Sequence, residues 1–478
     1  MTTGGRIAKN ATALYAAEFV ARALTLVLNL LIARKLGSSE FGNYAYVMTI
    51  VAIATLVADF GLSLLAVKEI AVNKPETGRL SGQFLALKTM TTLLVVAPLS
   101  FVAIKLGGTA GQLLALNLAA LFILTYSTTI SSTLRAHELM EYDGLNRIGV
   151  AFLTATIGSL LILRGYGIVA LGVVAVGTAI LSGLFMASTA RRSQLQPRRP
   201  AVTIPLMKSL LQRAWPYAIL VVLVTISFRI DMIMLALFKT PDVVGQYSAA
   251  YKLIEALLII PGVIATVLFP VMSERFEKNR ESLASLTRLS VKLFGILVLP
   301  IAVGLMTLAE PIIILLYGDR FPDSVFTLQI LAVALIPTFL SAITSTVINS
   351  SDGPKINTYL AGSMAVFNIL ANIILIPRYS LFGAAINTVL TEGLGLILGT
   401  IYISKKIFRL EYHAVLWKPF LCSLVMGAVV VLFPSLWLVP AYALVYLLLL
   451  WLTGSVEAAE ITAIKAALPK QILGTVSE

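Results

Sequence analysis

Ten ionisable side chains stand inside long apolar runs of this 478-residue chain: Glu18, Arg22, Asp59, Lys88, Arg229, Asp231, Lys252, Glu255, Lys292 and Glu392. A charge near the centre of a membrane helix costs about 2.5–3.5 kcal/mol on insertion scales, so such residues face a water-filled cavity or a partner. Glu18 and Arg22 are spaced i, i+4 and share a helix face. They form either a structural ion pair or a cavity-lining pair exchanged for a substrate anion. Lys252 and Glu255, at i, i+3, leave the same two readings open. Arg229 and Asp231, at i, i+2, point to nearly opposite sides of a helix, and each needs a partner elsewhere. Lys292 lies near the end of its run and can snorkel. Asp59 is expected to meet water or Lys68, while Lys88 and Glu392 lie deeper. Basic groups beside acidic ones suit an anionic substrate and a coupling cation, H⁺ or Na⁺. Arginine suits phosphate because its guanidinium is a permanently charged bidentate fork. The substrate-binding candidates are therefore Arg22, Lys88, Arg229 and Lys252. The ion-coupling or cavity candidates are Glu18, Asp231, Glu255 and Glu392.

No bond-breaking machinery accompanies these charges. No Ser or Cys stands in an obvious arrangement with a histidine. The two histidines, His137 and His413, and the lone Cys422 are too few for a typical structural zinc site. No G-x-x-x-x-G-K-[ST] string occurs. The expectation is no catalytic residue, no metal and no organic cofactor.

The elements that hold the charges follow from composition. Charged residues are 12% of the chain and the apolar set 58%, with mean hydropathy +0.93. A soluble domain carries about 25% charged residues. A disordered chain cannot carry this much apolar side chain. An all-α integral membrane protein remains, since a membrane helix needs about 20 mostly apolar residues. About fourteen such spans are predicted, near 12–34, 43–66, 81–104, 111–134, 146–164, 167–189, 214–238, 244–271, 285–309, 325–348, 357–376, 381–403, 415–433 and 436–453. The first is too long for a signal peptide and lacks a clear cleavage site, so it reads as retained.

The net charge of +13 is explained by topology. With the N-terminus in the cytoplasm, the cytoplasmic segments hold 24 Lys and Arg and the outer loops 7. This bias places both termini in the cytoplasm, in a multi-pass protein of the cell (cytoplasmic) membrane. It assigns the basic excess to the lipid surface and removes the main support for a nucleic-acid partner. The short outer loops leave little room for an external domain.

The polar, proline-bounded stretch Arg191–Pro200 divides two sets of six spans. The halves resemble each other. At an offset of 203, Gly42 and Tyr44 meet Gly245 and Tyr247; later, Tyr166–Gly172 parallels Tyr379–Ala385. Either a helix–turn–helix corner with small residues is used twice, or two short loops merely share Gly and Tyr. Six helices per half makes the duplication parallel, about an axis along the membrane normal. The expected domains are an N-terminal six-helix bundle (1–190), a cytoplasmic basic linker (191–213), a C-terminal six-helix bundle (214–405), and an extra helix pair with a cytoplasmic tail (406–478). The extra pair turns at Phe433–Ser435 without charge, and its apolar faces suit lipid. The last twenty or so residues are expected to form an interfacial helix. Pro261-Gly262 marks a kink in the helix that carries Lys252 and Glu255.

Read together, LIARKLGSSEFGNYAYV (31–47), ADFGLSLLAVKEIA (58–71), Arg229–Leu235, residues 245–270 and IPRYSLFGAAINT (376–388) give the chain a resemblance. It resembles the polysaccharide-type flippases of the multidrug/oligosaccharidyl-lipid/polysaccharide exporter superfamily. The resemblance implies two six-helix bundles in a MATE-like V with alternating access. It implies flipping of a polyprenyl-diphosphate-linked oligosaccharide from the cytoplasmic to the outer leaflet, with no bond broken. Related peptidoglycan-precursor flippases carry lumen arginines on the first and eighth helices; Arg22 fits the first, and Lys252 stands at the second. The implied partners are the lipid-linked oligosaccharide, membrane lipids and membrane enzymes of glycan assembly. The alternatives are a cation-coupled small-molecule or drug exporter and, less favoured, a membrane glycan polymerase or ligase. In all of this, charges from both bundles are expected to converge on one hydrated pocket.

Overall fold

The computed structural model describes residues 3–198, 203–351 and 354–455. Among them every regular element is helical and no strand occurs. The expected interfacial helix near the C-terminus lies outside the described residues. The chain divides into two compact units, Met1–Ala249 and Ala250–Glu478.

The first unit holds α1 (Thr3–Asp59), α2 (Leu62–Val72), α3 (Thr77–Leu106), α4 (Gly108–Ala136), α5 (Met140–Leu163), α6 (Ile168–Arg192), α7 (Ile204–Phe238) and the start of α8 (Pro241–Leu257). The second completes α8 and adds α9 (Ile259–Lys278), α10 (Arg280–Thr307), α11 (Ala309–Tyr317), α12 (Pro322–Ser350), α13 (Pro354–Lys406), α14 (Tyr412–Leu432) and α15 (Val439–Leu452). Ten helical stretches are long and apolar enough to cross a membrane. Two of them are double. Gly37, at φ +85°, separates two arms of α1, and Ser380, at φ +57°, separates two arms of α13. With these divided, α7 and the short apolar α15 bring the spans of the described residues to fourteen. This is a multi-pass membrane protein.

The breaks fall where the two halves predict corners. Gly37 breaks α1, and Lys239–Thr240, 203 residues later, separate α7 from α8. Arg164–Gly167 separate α5 from α6 with Gly165 at φ +87°, and Ser380 provides the matching corner in α13. The α8–α9 break falls at Leu258, three residues before Pro261. A proline has no N–H for the carbonyl four residues back and its ring crowds that turn, so the helix is interrupted there.

In the first unit α4 is the enclosed helix, with Leu113, Leu114, Leu118, Ile130 and Leu134 buried. α7 belongs to this unit because it packs on α1 and α2. Leu210 and Ala214 join Leu62, Leu65 and Ala66 of α2 and Phe84 and Leu87 of α3 in one apolar cluster. The division between the two units falls inside α8. The linker itself is pinned: Arg198 N–H donates to the Gly78 carbonyl at 2.8 Å. A Cβ added to Gly82 would lie 2.0 Å from the Arg198 carbonyl oxygen, so α3 needs glycine where the strap crosses.

In the second unit α12 is the enclosed helix, with Leu328, Leu331, Leu335 and Phe339 buried. Asn279 caps α10 by accepting from the Ser282 N–H at 3.0 Å, satisfying one of the free donors of its first turn. The helix pair α14–α15 packs on α10 through Cys422, Met426, Val430, Tyr442, Tyr446 and Leu450. Val430 and Leu450 thus turn inward, while Val431, Leu444, Leu447 and Leu448 remain exposed and suit lipid.

Candidate functional site

Five charges of the first unit gather where α4 ends and α5 begins. The Asp143 carboxylate is 3% exposed and fully engaged. Arg135 donates to it from Nε at 2.9 Å and Nη2 at 2.6 Å, Arg147 from Nε at 3.3 Å, and Ser131 from its hydroxyl at 2.5 Å. Glu18 ties this cluster to α1. Its Oε1 accepts from Arg22 Nε at 2.8 Å, and its Oε2 lies 3.4 Å from Arg147 Nη1. Three guanidiniums therefore share two carboxylates. The buried Asp143 tolerates desolvation only because these bonds surround it. Arg22 and Arg147 are 51% and 43% exposed and keep an accessible side. Beside them, α1, α4, α5 and α6 line a cavity of about 380 Å³.

Of the sequence candidates, Glu18 and Arg22 stand in this cluster, as their spacing allowed. Lys88 stands apart from this cluster, in an ion pair with Asp59. It is 2% exposed, and its Nζ lies 2.8 Å from Asp59 Oδ1 and 2.6 Å from the Ser63 hydroxyl. The charged partner of Asp59 is thus Lys88 and not Lys68. The reason lies in the backbone. Phe60 and Gly61, at φ +45° and +73°, break the helix between α1 and α2 inside an apolar stretch. Asp59 sits at that break, where its Oδ2 accepts from Ser63 N–H at 3.3 Å. Thr91 donates to the freed Ala58 carbonyl at 2.6 Å. Lys88 completes the polar satisfaction of a broken membrane helix.

Asp231 is buried, and the Tyr247 hydroxyl of α8 donates to it at 3.3 Å; Arg229 is half-buried on the same helix. In the second unit Lys252 Nζ lies 2.6 Å from Glu255 Oε2, both half-buried. Glu392 is half-buried on the second arm of α13. Beside it runs a buried amide ladder. Asn372 donates to Asn368 at 2.9 Å, and Asn387 donates to the Asn368 carbonyl at 2.9 Å, joining the two arms of α13. A second cavity, of about 600 Å³, is apolar and lies among α10, α12, α13 and α14, with Met306, Phe326, Leu390 and Val431 on its walls. Among the described residues no three His, Cys, Asp or Glu side chains gather as a metal site would require.

The family model for polysaccharide biosynthesis proteins matches residues 7–276, more than half of the chain. The chain belongs to this family. It is 22% identical over 441 residues to the probable low-salt glycan biosynthesis flippase Agl15 of Haloferax volcanii, with 90% of each chain covered. It is 25% identical over 303 residues to the probable flippase AglR of the same organism, covering 62% of each. Among solved structures it resembles the lipid II flippase MurJ in an inward closed conformation, with TM-score 0.75, 18% identity, and 92% of this chain and 98% of that one covered. It also resembles an inward-facing MATE family multidrug transporter of the MOP superfamily, with TM-score 0.68, 18% identity, and 81% and 94% covered. These likenesses establish the fold, which is that of the MurJ and MATE structures.

Three of the five charges in this cluster, Arg135, Asp143 and Arg147, are not among the sequence candidates. By position Arg135 and Arg147 read only as basic residues, and Asp143 as an acid, of a cytoplasmic segment. The signals were present: Asp143 and Arg147 are spaced i, i+4, and residues 125–133, TYSTTISST, put a run of hydroxyls on the facing helix.

Proposed function

We propose that this chain flips a polyprenyl-diphosphate-linked oligosaccharide from the cytoplasmic to the outer leaflet, for assembly of a cell-surface polysaccharide or glycan. The observation that carries the reading is the excess of guanidinium over carboxylate at one end of the first unit, where Arg22 and Arg147 keep open sides. A diphosphate is matched by such forks, and a cationic drug is opposed by them. Membership of the polysaccharide biosynthesis family and relatives named as flippases support the same reading. The bias of Lys and Arg supports a cytoplasmic position for this end and for both termini.

In this mechanism Arg22 and Arg229 of the first unit contact the diphosphate or acidic sugars, and Lys252 of the second unit is a separate contact along the path. Asp231, Glu255 and Glu392 bind the coupling H⁺ or Na⁺ or balance the charge when no substrate is present. The apolar cavity bordered by α14 takes part of the polyprenyl tail. The cargo leaves with every bond intact, so the protein is a transporter and not an enzyme.

The discriminating experiment is deletion of the gene. The proposal predicts accumulation of lipid-linked oligosaccharide without a gain in drug sensitivity. Drug sensitivity with no such accumulation would select the small-molecule exporter instead.

A further inference from the structure

The cavity among α1, α4, α5 and α6 has a floor that the charge cluster does not use. Ser127 and Ser182 line it at 3% and 2% exposure, and neither hydroxyl has a hydrogen-bond partner. Each unpaired buried hydroxyl costs about 1–3 kcal/mol on the scale of protein substitutions, so two beside one cavity favour a polar guest that would satisfy them. Thr154 and Asn146 stand on the α5 side, and Glu18 and Arg147 form the more exposed rim.

The chemistry of that lining selects the guest. A bare cation finds no surplus negative charge, because Glu18 and Asp143 are both neutralised by guanidiniums at 2.6–3.4 Å. An apolar guest would leave the serines unsatisfied. A neutral polyol meets hydroxyls that donate and accept, with an amide, a carboxylate and a guanidinium at the mouth. The volume of about 380 Å³ falls in the range of about 300–1,000 Å³ typical of small-ligand sites. Arg22 is one helical turn, about 5 Å, along α1 from Glu18, so a diphosphate held at Arg22 brings its first sugar to the rim.

We propose that this pocket is a sugar subsite, in which the monosaccharide nearest the diphosphate hydrogen-bonds to Ser127 and Ser182. The inference rests on the flippase reading and adds to it a glycan-binding element within the first unit alone.

The test uses the full-length protein in lipid nanodiscs, with the lone Cys422 replaced by Ser and with Ser182→Cys or, separately, Ser127→Cys. The rate of modification by a small neutral methanethiosulfonate is measured with three additions: lipid-linked oligosaccharide extracted from the producing cells, polyprenyl diphosphate bearing no sugar, and sodium chloride alone. Retention of both lipids on the immobilised protein is measured separately. At ten times its dissociation constant, the intact glycolipid should slow modification about ten-fold, while the sugar-free lipid and sodium leave it unchanged. Both lipids retained without protection of either cysteine would overturn the subsite and leave the transport reading standing. Equal protection by sodium, or by the sugar-free lipid, would also overturn it. Retention of neither lipid would contradict the transport reading itself, and the subsite with it.

Discussion

Gly42 and Gly245 each press against the backbone of the other's helix, and they do so symmetrically. A Cβ built on Gly42 would lie 1.8 Å from the Pro241 carbonyl oxygen, and one built on Gly245 would lie 1.9 Å from the Ser38 carbonyl oxygen. Gly42 and Gly245 are 203 residues apart, as are Ser38 and Pro241. The contact therefore pairs, within the first unit, positions that the 203-residue offset relates to each other. The Ser38 hydroxyl also donates to Asp242 at this crossing.

Gly42→Ala should therefore separate two helices that no side-chain rotation can relieve. The expected cost is about 1–3 kcal/mol, the scale of overpacking. Gly177→Ala is the control: nothing lies within 4 Å of its added Cβ in mid-α6, so it should be neutral or slightly stabilising. Thermal unfolding in detergent compares the two, and equal midpoints would refute the close approach.

Lys88 and Asp59 should behave as a buried pair. Lys88→Met or Asp59→Leu alone strands a charge and should cost about 3–5 kcal/mol, while the double variant recovers most of it. A double-mutant cycle on unfolding reads the coupling. Additive losses would mean that the two side chains do not depend on each other.

Arg22 separates function from stability. Its ion pair with Glu18 is half open to solvent, so Arg22→Ala should change stability by no more than about 1 kcal/mol and still abolish transport. Unchanged flux from a normally inserted variant would remove Arg22 from the substrate path.

His137, at the end of α4, gives a pH signature. Burial first, and the nearby Lys74 second, lower its pKa below the ordinary histidine value, and its Nε2 lies 2.8 Å from the Thr77 hydroxyl. The folded protein thus favours the neutral ring. Its contribution is present above the unfolded pKa, near 6.5, and is lost as pH falls below that value and the unfolded chain takes up the proton more readily. His137→Gln should flatten the slope of unfolding midpoint against pH between neutrality and acid. An unaltered slope would assign it to other groups.

Asp231→Asn should weaken the dependence of transport on a proton or sodium gradient while preserving binding of the lipid. A full gradient response in this variant would exclude Asp231 as a coupling group.

Much of this architecture was legible because membrane burial writes itself into composition. Apolar runs of helix length fixed the fourteen spans, and helical spacing brought Glu18 to Arg22 and Lys252 to Glu255. What stayed hidden was pairing between helices. Lys88 reads as an isolated charge until the break at Phe60–Gly61 brings Asp59 and Ser63 to it. Asp143 reads as a loop acid until Arg135 and Arg147 close around it. Ser127 and Ser182 carry no sequence signal of their own, because a serine in a membrane helix usually bonds back to its own turn. Only the absence of that bond marks them.

Flux measured directly decides the central claim. Purified protein in proteoliposomes, loaded on one leaflet with lipid-linked oligosaccharide from the producing cells, should move the glycolipid to the other leaflet far faster than empty vesicles. The Arg22→Ala/Arg147→Ala double variant, inserted to the same level, should fall to the empty-vesicle rate. A wild-type protein that flips no faster than bare lipid, or a double variant that keeps the wild-type rate, would contradict the account.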